Sequence, residues 1–281
     1  MFSIIIPTKD RQALEKRAIE SVLAQTYKDW ELLISDASGD DHLLDYVRTL
    51  KEDPIGRYDI KYYHSRELPH VRRRQLTEVA QGEILAYLDS DDYWLPQKLK
   101  EHHQVHQEHP EVGLTWDHFK NIDHGQLAKN QAPQPLISGI HQPPRIFTVM
   151  TQNLWNPFFL HMSSLVAKKS AVMATGGFPN TPFCDGYLAG QIGRQYPVYY
   201  LDKLLTYVDI SAQKRLSNQR WPRPEYWWVG LRVTFRYPKV LLPGLYRYFF
   251  THGRKAYLTK HLPFIKREIR SSNSETLNGT N

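Results

Sequence analysis

The chain begins with an unbroken apolar run in "FSIIIPT" (Phe2 to Thr8), rich in β-branched isoleucine and stopped by Pro7. So short a run reads as a strand buried on both faces. From Asp10 onward, Leu14, Ala18, Ser21, Val22 and Gln25 recur at helical spacing, which predicts an amphipathic helix. The alternation then repeats. "WELLIS" (Trp30 to Ser35) is a second strand ending in the turn-rich "DASGDD", and Leu43, Leu44, Val47 and Leu50 mark a second helix. "DIKYYH" (Asp59 to His64) is a third strand, "PHVRRRQLTEVAQG" a third helix stopped near Gly82, and "EILAYL" (Glu83 to Leu88) a fourth strand. Strands alternating with helices predict an α/β fold, Rossmann-like, with a mostly parallel sheet and helices on both faces.

Past "WLPQKLKEHHQVHQEHP", another helix, the rhythm loosens. "EVGLTW" (Glu111 to Trp116) is strand-like, and residues 124–145, rich in Gln, Pro and His, read as an exposed loop. "HMSSLVAKKSAVMATGGF" predicts a strand, a short helix and a glycine turn; "PFCDGYLAGQIGRQY" is helical, and "PVYYLDKLLTYVDIS" gives two short strands. There is no internal repeat. The 281 residues fit one domain with a decorated C-terminal half.

Ligands of open parallel sheets bind beyond the carboxyl ends of the strands. Thr8, Asp36 and the run Asp89 to Asp92 in "AYLDSDDYW" all sit at such ends. Like charges repel and Asp is a poor strand former, so three acids within four positions need a reason. A divalent cation supplies one: Mg²⁺ and Mn²⁺ prefer oxygen and are shared between carboxylates and substrate phosphates. Asp89 and Asp91 can turn toward one point, with Ser90 offering its backbone N–H. The alternative is that Asp92 caps the helix that follows.

"FSIIIPTKDR", "SVLAQTYKDWELLISDASGDD", "AQGEILAYLDSDDYWLPQKL" and "SSLVAKKSAVMATGGF" resemble, in order and spacing, the family 2 glycosyltransferases of the GT-A fold. The resemblance is dense over residues 2–100, extends to about 217 and is absent beyond. It implies inverting transfer from a nucleotide-sugar, usually a UDP-sugar, with a divalent cation, Mn²⁺ or Mg²⁺, as cofactor. Pro7 and Thr8, with Arg11 close by, resemble the residues that contact the base, and Asp36 the acid that accepts from uracil N3–H. An arginine before Gly82 is implied for the nucleotide; Arg66, Arg72, Arg73 and Arg74 compete, because "RRR" replaces the usual "ARN". Asp89 and Asp91 resemble the DXD pair, with Asp91 the direct metal ligand and Asp89 facing the ribose or the metal's water shell. Asp185 in "FCDGY" stands where the family carries its general base, with Cys184 in place of a preceding acid; the alternative is a helix-capping Asp. "SAQKRLSNQ" stands where relatives carry a basic loop over the pyrophosphate, so Lys214 and Arg215 are candidates to neutralise it; the alternative is a surface turn. By halves, residues 1–110 would bind the nucleotide-sugar and 111–217 the acceptor. "DASGDD" is shorter than the common "DDGSTDD".

Other features receive plainer readings. His102, His103, His106 and His109 share helical spacing, but on a polar helix they are expected at the surface rather than on zinc. Trp155, Phe158, Phe159 and His161 are expected in the core, an acceptor-sugar platform being the alternative. A reactive thiol at Cys184 is not expected, since no basic residue adjoins it in sequence. "VRRRQL" is a poor phosphate track, which argues against nucleic acid.

Charge adds a further layer. Residues 213–270 hold 14 of the 36 Lys and Arg and two of the 29 acids, so this tail carries +12 and the remainder −5. Residues 218–281 mix Trp, Tyr and Phe with Arg and Lys on short helices broken by Pro238, Pro243 and Pro263, the extreme end being disordered. Such a helical extension suits an anionic membrane surface; docking onto the catalytic domain or a second subunit is the alternative. A single cysteine excludes an intrachain disulfide, and the N-terminus lacks the pattern of a secretion signal, so a cytoplasmic protein, peripheral on the inner face of a membrane, is expected. No run of about 18 apolar residues predicts a spanning helix. The expected acceptor is a glycan or lipid-linked sugar in surface polysaccharide or lipopolysaccharide synthesis. The rivals are a sugar nucleotidyltransferase, which would normally show glycine after the first strand where "IIIPTKDRQALEKR" has none, and a non-catalytic nucleotide- or carbohydrate-binding protein.

Overall fold

The computed structural model describes residues 1–52, 58–129, 138–142, 160–180 and 184–211. The expectations for Lys214, Arg215, the tail 218–281 and the aromatics Trp155, Phe158 and Phe159 lie outside these described residues.

The first half follows the predicted alternation: β1 (Phe2–Thr8), α1 (Gln12–Leu23), β2 (Trp30–Asp36), α2 (His42–Glu52), β3 (Asp59–His64), α3 (Pro69–Val79) and β4 (Ile84–Tyr87). The second half adds β5 (Tyr93–Trp94), α4 (Lys98–Glu108), β6 (Leu114–Asp123), β7 (Gln126–Leu127), β8 (Gly139–His141), β9 (Leu165–Lys168), α5 (Lys169–Ala174), α6 (Cys184–Gly193) and β10 (Val198–Asp209). Among the described residues the strands form one sheet in the order β3-β2-β1-β4-β9-β6-β10-β5, with β7 on β6 and β8 on β10. β3, β2, β1 and β4 run parallel, whereas β9 is antiparallel to both of its neighbours.

Burial explains why these segments form strands. Every residue of β1, β2 and β4 is buried, and the side chains alternate between two cores. Ile4, Ile6, Leu32 and Ile34 pack against Ala18, Ile19 and Val22 of α1 and Leu43 and Val47 of α2. Ile5, Leu33 and Tyr87 face the other way, toward Leu76, Val172 and Leu188 on α3, α5 and α6. Each fully buried large apolar side chain contributes about 1.5–3 kcal/mol. The turn into β4 needs Gly82: a Cβ there would lie 2.6 Å from the Ser3 backbone nitrogen.

Three expectations change. The segment read as two short strands is one, β10, whose pairing with β6 shifts register between Leu201 and Leu204 and again before Thr206. Those bulges break the period-two pattern that would have marked one long strand. The stretch read as loop after residue 123 contains β7 and β8. On α4, His102 and His106 are buried rather than exposed. Burial pushes them down to about 4 and about 3, so both are neutral.

Candidate functional site

Because β1, β2 and β4 are parallel, Thr8, Asp36 and Asp89 lie along one sheet edge, at the switch point where the chain returns past β1 to add β4. Antiparallel β9, with Val166 opposite Ala86, brings the residues before it back to the carboxyl end of β4. His161 and Ser163 thereby reach the acidic turn. β10 runs antiparallel to β5, with Tyr207 opposite Tyr93, and delivers Asp209 to the same place.

The turn is pinned from several sides. Asp92 N–H donates to the Asp89 carbonyl at 3.0 Å. Asp92 itself is 0% exposed. Its Oδ2 accepts from Ser163 Oγ at 2.5 Å and its Oδ1 from the Asp209 N–H at 3.0 Å. Ser163 Oγ also accepts from Asp89 N–H at 3.0 Å. Arg17 reaches over from α1, donating to the Asp91 carbonyl at 2.6 Å and to Asp209 Oδ2 at 2.8 Å. The capping role considered for Asp92 is corrected by this arrangement. α4 begins at Lys98 behind Gln97, with β5 in between, so Asp92 serves as the anchor of its own turn.

Two arginines face the remaining carboxylates. Arg73 on α3 ion-pairs with Asp89, and Arg11 at the start of α1 ion-pairs with Asp91, which is 4% exposed. Burial would raise the Asp89 carboxyl and is the largest single influence; the charge and hydrogen bond of Arg73, with the charges of His161 and Arg11, together outweigh it and hold the group below the usual range. The other arginines left open by the sequence go elsewhere. Arg72 is buried and donates to the carbonyls of Thr8 and Ser35, at 2.6 and 2.5 Å, tying β1 to β2. Arg74 is exposed and pairs with Glu78, and Arg66 is exposed ahead of α3.

At the candidate base end, Pro7 and Thr8 are buried in β1, and Thr8 Oγ1 donates to Glu15. Asp36 is fully buried; it accepts from Ser38 N–H and from the Tyr62 hydroxyl, each at 2.8 Å. Ser90 is buried within the acidic turn.

Asp185 lies in the first turn of α6, where its Oδ1 accepts from Gly186 N–H at 2.8 Å. Burial raises its carboxyl, the Asp89 charge adds to this, and His161 and Arg73 pull the other way, so the residue senses the acidic turn. Cys184 is buried with its Sγ 3.8 Å from Arg73 Nη1, which corrects the expectation that no basic group adjoins it. Burial nevertheless pushes the thiol up to about 12, leaving it protonated.

His161, expected in the core, is instead partly exposed, with its Nδ1 3.3 Å from Asp92 Oδ2. Among the described residues, donor atoms of Asp89, Asp92 and His161 lie within 4.8 Å of one another. Two carboxylates and an imidazole suit a cation of the Mn²⁺ type. Since Asp92 is sealed by Ser163 and the Asp209 backbone, it acts better as the partner that orients His161 than as a ligand. His161 Nδ1 also accepts from the Ser163 N–H at 3.3 Å, which fixes the ring beside Asp92. Asp89 in that cluster pairs with Arg73, whereas Asp91, the direct ligand that the resemblance implies, pairs with Arg11 and is not among the three. Nothing in the sequence placed His161, Ser163, Arg17 or Asp209 at the acidic turn. The antiparallel return of β9 brings His161 and Ser163 there, the pairing of β10 with β5 brings Asp209, and α1 brings Arg17.

The family described as "Glycosyl transferase family 2" matches residues 3–172. Over 106 residues the chain is 34% identical to "UDP-Glc:alpha-D-GlcNAc-diphosphoundecaprenol beta-1,3-glucosyltransferase WfaP" of Escherichia coli, covering 38% of this chain and 40% of that protein. Over 93 residues it is 33% identical to the "GalNAc(5)-diNAcBac-PP-undecaprenol beta-1,3-glucosyltransferase" of Campylobacter jejuni, covering 32% of this chain and 29% of that protein. The chain thus spans well under half the length of these curated relatives. Among solved structures, S. aureus TarS 1-349 in complex with UDP-GlcNAc superposes with a TM-score of 0.73 at 16% identity, over 93% of this chain and 76% of that one. At that identity the likeness concerns the fold.

Proposed function

This chain belongs to glycosyl transferase family 2, and from that membership and the site's geometry we propose that it moves a sugar, with inversion, from a UDP-sugar to a hydroxyl of a lipid-linked glycan acceptor. The observation that carries this reading is the meeting of Asp89, Asp92 and His161 at the switch point, with Arg73 on Asp89, Arg11 on the neighbouring Asp91, and Asp185 within electrostatic reach. UDP and the lipid-linked acceptor are supported by the activity for which the E. coli relative is named, and UDP also by the UDP-GlcNAc complex of TarS.

In this reading Thr8 and Asp36 border the base, Arg11 and Arg73 face the diphosphate, and the half after residue 110 receives the acceptor. Asp89 and His161, with Asp91 as the resemblance implies, would hold Mn²⁺ or Mg²⁺. A divalent cation there supplies Lewis-acid stabilisation of the departing diphosphate. The acceptor oxygen attacks the anomeric carbon as the bond from that carbon to the phosphate oxygen breaks. Asp185, whose carboxyl burial makes more basic, takes the hydroxyl proton. A general base is most effective when its proton affinity lies near the working pH, which is the direction in which burial shifts this group. The basic, aromatic segment 218–281 is proposed to hold the protein on the cytoplasmic face of an anionic membrane, where a lipid-linked acceptor would be met.

The test is donor hydrolysis and transfer to a short polyprenyl diphosphate-linked sugar, screened over UDP-, GDP- and dTDP-sugars with and without Mn²⁺. Turnover confined to one UDP-sugar with the cation present is the expected result; nucleotide binding with no turnover on any donor overturns the enzymatic reading. Removal of residues 218–281 should release the protein from vesicles containing anionic lipid, and unchanged co-sedimentation overturns the anchoring role.

A further inference from the structure

We propose that Lys98 and Asp117 are positioning residues: a buried ion pair that sets the turn from which Ser163 and His161 meet the acidic site. This rests on the reading that Asp89, Asp91 and His161 hold a divalent cation.

Lys98 opens α4 and is 0% exposed, as is Asp117 on β6. Lys98 Nζ ion-pairs with Asp117 Oδ1 and lies 3.4 Å from the Ser164 carbonyl and 3.2 Å from Thr206 Oγ1. It also sits 5.2 Å from the centre of the Trp94 ring. One ammonium thereby joins α4, β6, β10 and the 3-10 turn Met162–Ser164. His102, four residues along α4, steadies the pair, with Nε2 3.1 Å from Asp117 Oδ1 and Nδ1 2.6 Å from Thr115 Oγ1. Asp117 Oδ2 has no hydrogen-bond partner among the described residues.

From that turn the connections run directly to the site. Trp94 Nε1 donates to the Ser163 carbonyl at 2.7 Å and Thr206 Oγ1 to the same oxygen at 3.4 Å. On its other side Ser163 Oγ donates to Asp92 at 2.5 Å and accepts from the Asp89 N–H at 3.0 Å. His161 enters the turn two residues earlier, beside Asp92.

An ion pair taken wholly out of water is weak evidence for stability, because desolvating both charges offsets their attraction. An apolar pair of similar volume would fill the same space without that cost. What an apolar pair lacks is direction: it cannot hold the Ser164 carbonyl and the Thr206 hydroxyl at fixed points. The pair's consequence is therefore geometric, and it falls on the turn that orients Asp89, Asp92 and His161.

The experiment replaces both charges together, Lys98→Met with Asp117→Leu, so that no unpaired charge is left buried. Mn²⁺ binding to the full chain without nucleotide is followed by the loss of the free-ion electron paramagnetic resonance signal, beside the thermal midpoint in metal-free buffer. The expected result is Mn²⁺ binding weaker by roughly 10- to 100-fold, as for outer-shell partners of metal ligands, with the thermal midpoint close to that of the unchanged protein. If the double variant does not fold, Thr206→Val gives the reading: it removes only the hydroxyl that lies between Lys98 and the Ser163 carbonyl, and several-fold weaker binding is expected. A folded variant that binds Mn²⁺ as tightly as the unchanged protein overturns the positioning role alone. An unchanged protein that binds no Mn²⁺ overturns the cation reading as well, so the two failures are told apart by which protein fails.

Discussion

Arg73 and Asp89 form an ion pair at the site, α3 supplying the cation and the end of β4 the anion. The same guanidinium lies against Cys184, so Asp89 is its only anionic ion-pair partner among the described residues. A cation bound to Asp89 must share it with Arg73, and a diphosphate offers Arg73 another partner. Mn²⁺ and UDP should therefore bind with positive coupling. By linkage each should tighten the other by the same factor, expected in the range of roughly 5- to 150-fold. Titration calorimetry of each ligand, alone and with the other saturating, measures it. Arg73→Gln should shrink the coupling without weakening Mn²⁺ binding on its own; independent binding of the two ligands to the unchanged protein would sink the idea.

Asp185 is predicted to matter for transfer and not for donor affinity. Asp185→Asn keeps the side chain's shape and its acceptor for the Gly186 N–H, and removes the proton acceptor. The turnover number should fall by roughly 10²- to 10⁴-fold with the UDP dissociation constant little changed. Loss of both in parallel would mean that the residue supports the fold of α6.

The sheet's first half was legible because each element there obeys one period over enough residues to be read. β1, β2 and β4 are mostly apolar runs bounded by turn residues, and α1 and α2 repeat at helical spacing. β10 was not legible as one strand, because two register shifts against β6 interrupt its alternation. Asp89 and Asp91 stood out by charge density in an apolar setting. His161 and Ser163 had no such signal: their role comes from β9 running antiparallel to β4, a long-range pairing that no local pattern encodes. His102 and His106 misled for the opposite reason. A polar-looking helix is buried on the face where Lys98 pairs with Asp117 and neutral His102 lies beside them.

His42 gives the fold a pH dependence. It opens α2 with Nε2 against buried Glu15 and Nδ1 against exposed Asp40. Burial alone would lower the imidazole, but the two carboxylates outweigh it and raise it above the ordinary 6.5. A group raised in the folded state stabilises fully below its unfolded value, and that stabilisation is lost as pH climbs through the folded one. Urea unfolding should thus show His42→Asn losing stability against the unchanged protein at pH 5.5, with the gap closing above pH 8, in rough terms set by the reference histidine value. Added salt should narrow the gap at low pH through the exposed Asp40 contact. A gap that widens with pH would mean that His42 acts as a neutral hydrogen-bonding partner.

The acidic turn itself separates two ligand sets that a cation would tell apart. Asp91 faces Arg11, an exchangeable partner, while Asp92 is held by Ser163 and by the backbone of Asp209. If Asp91 is a ligand and Asp92 the orienting partner of His161, Asp91→Asn should weaken Mn²⁺ binding beyond the roughly 10- to 100-fold typical of an outer-shell change, with little effect on folding. Asp92→Asn should weaken Mn²⁺ within that range. It should also destabilise the fold by about 1.5–3 kcal/mol, since a hydrogen bond to a buried charge is replaced by a neutral one. Electron paramagnetic resonance titration and urea unfolding on the two variants give both numbers. The reverse pattern, Asp91→Asn binding Mn²⁺ normally while Asp92→Asn does not, would assign the cation to Asp89, Asp92 and His161 and leave Asp91 to Arg11.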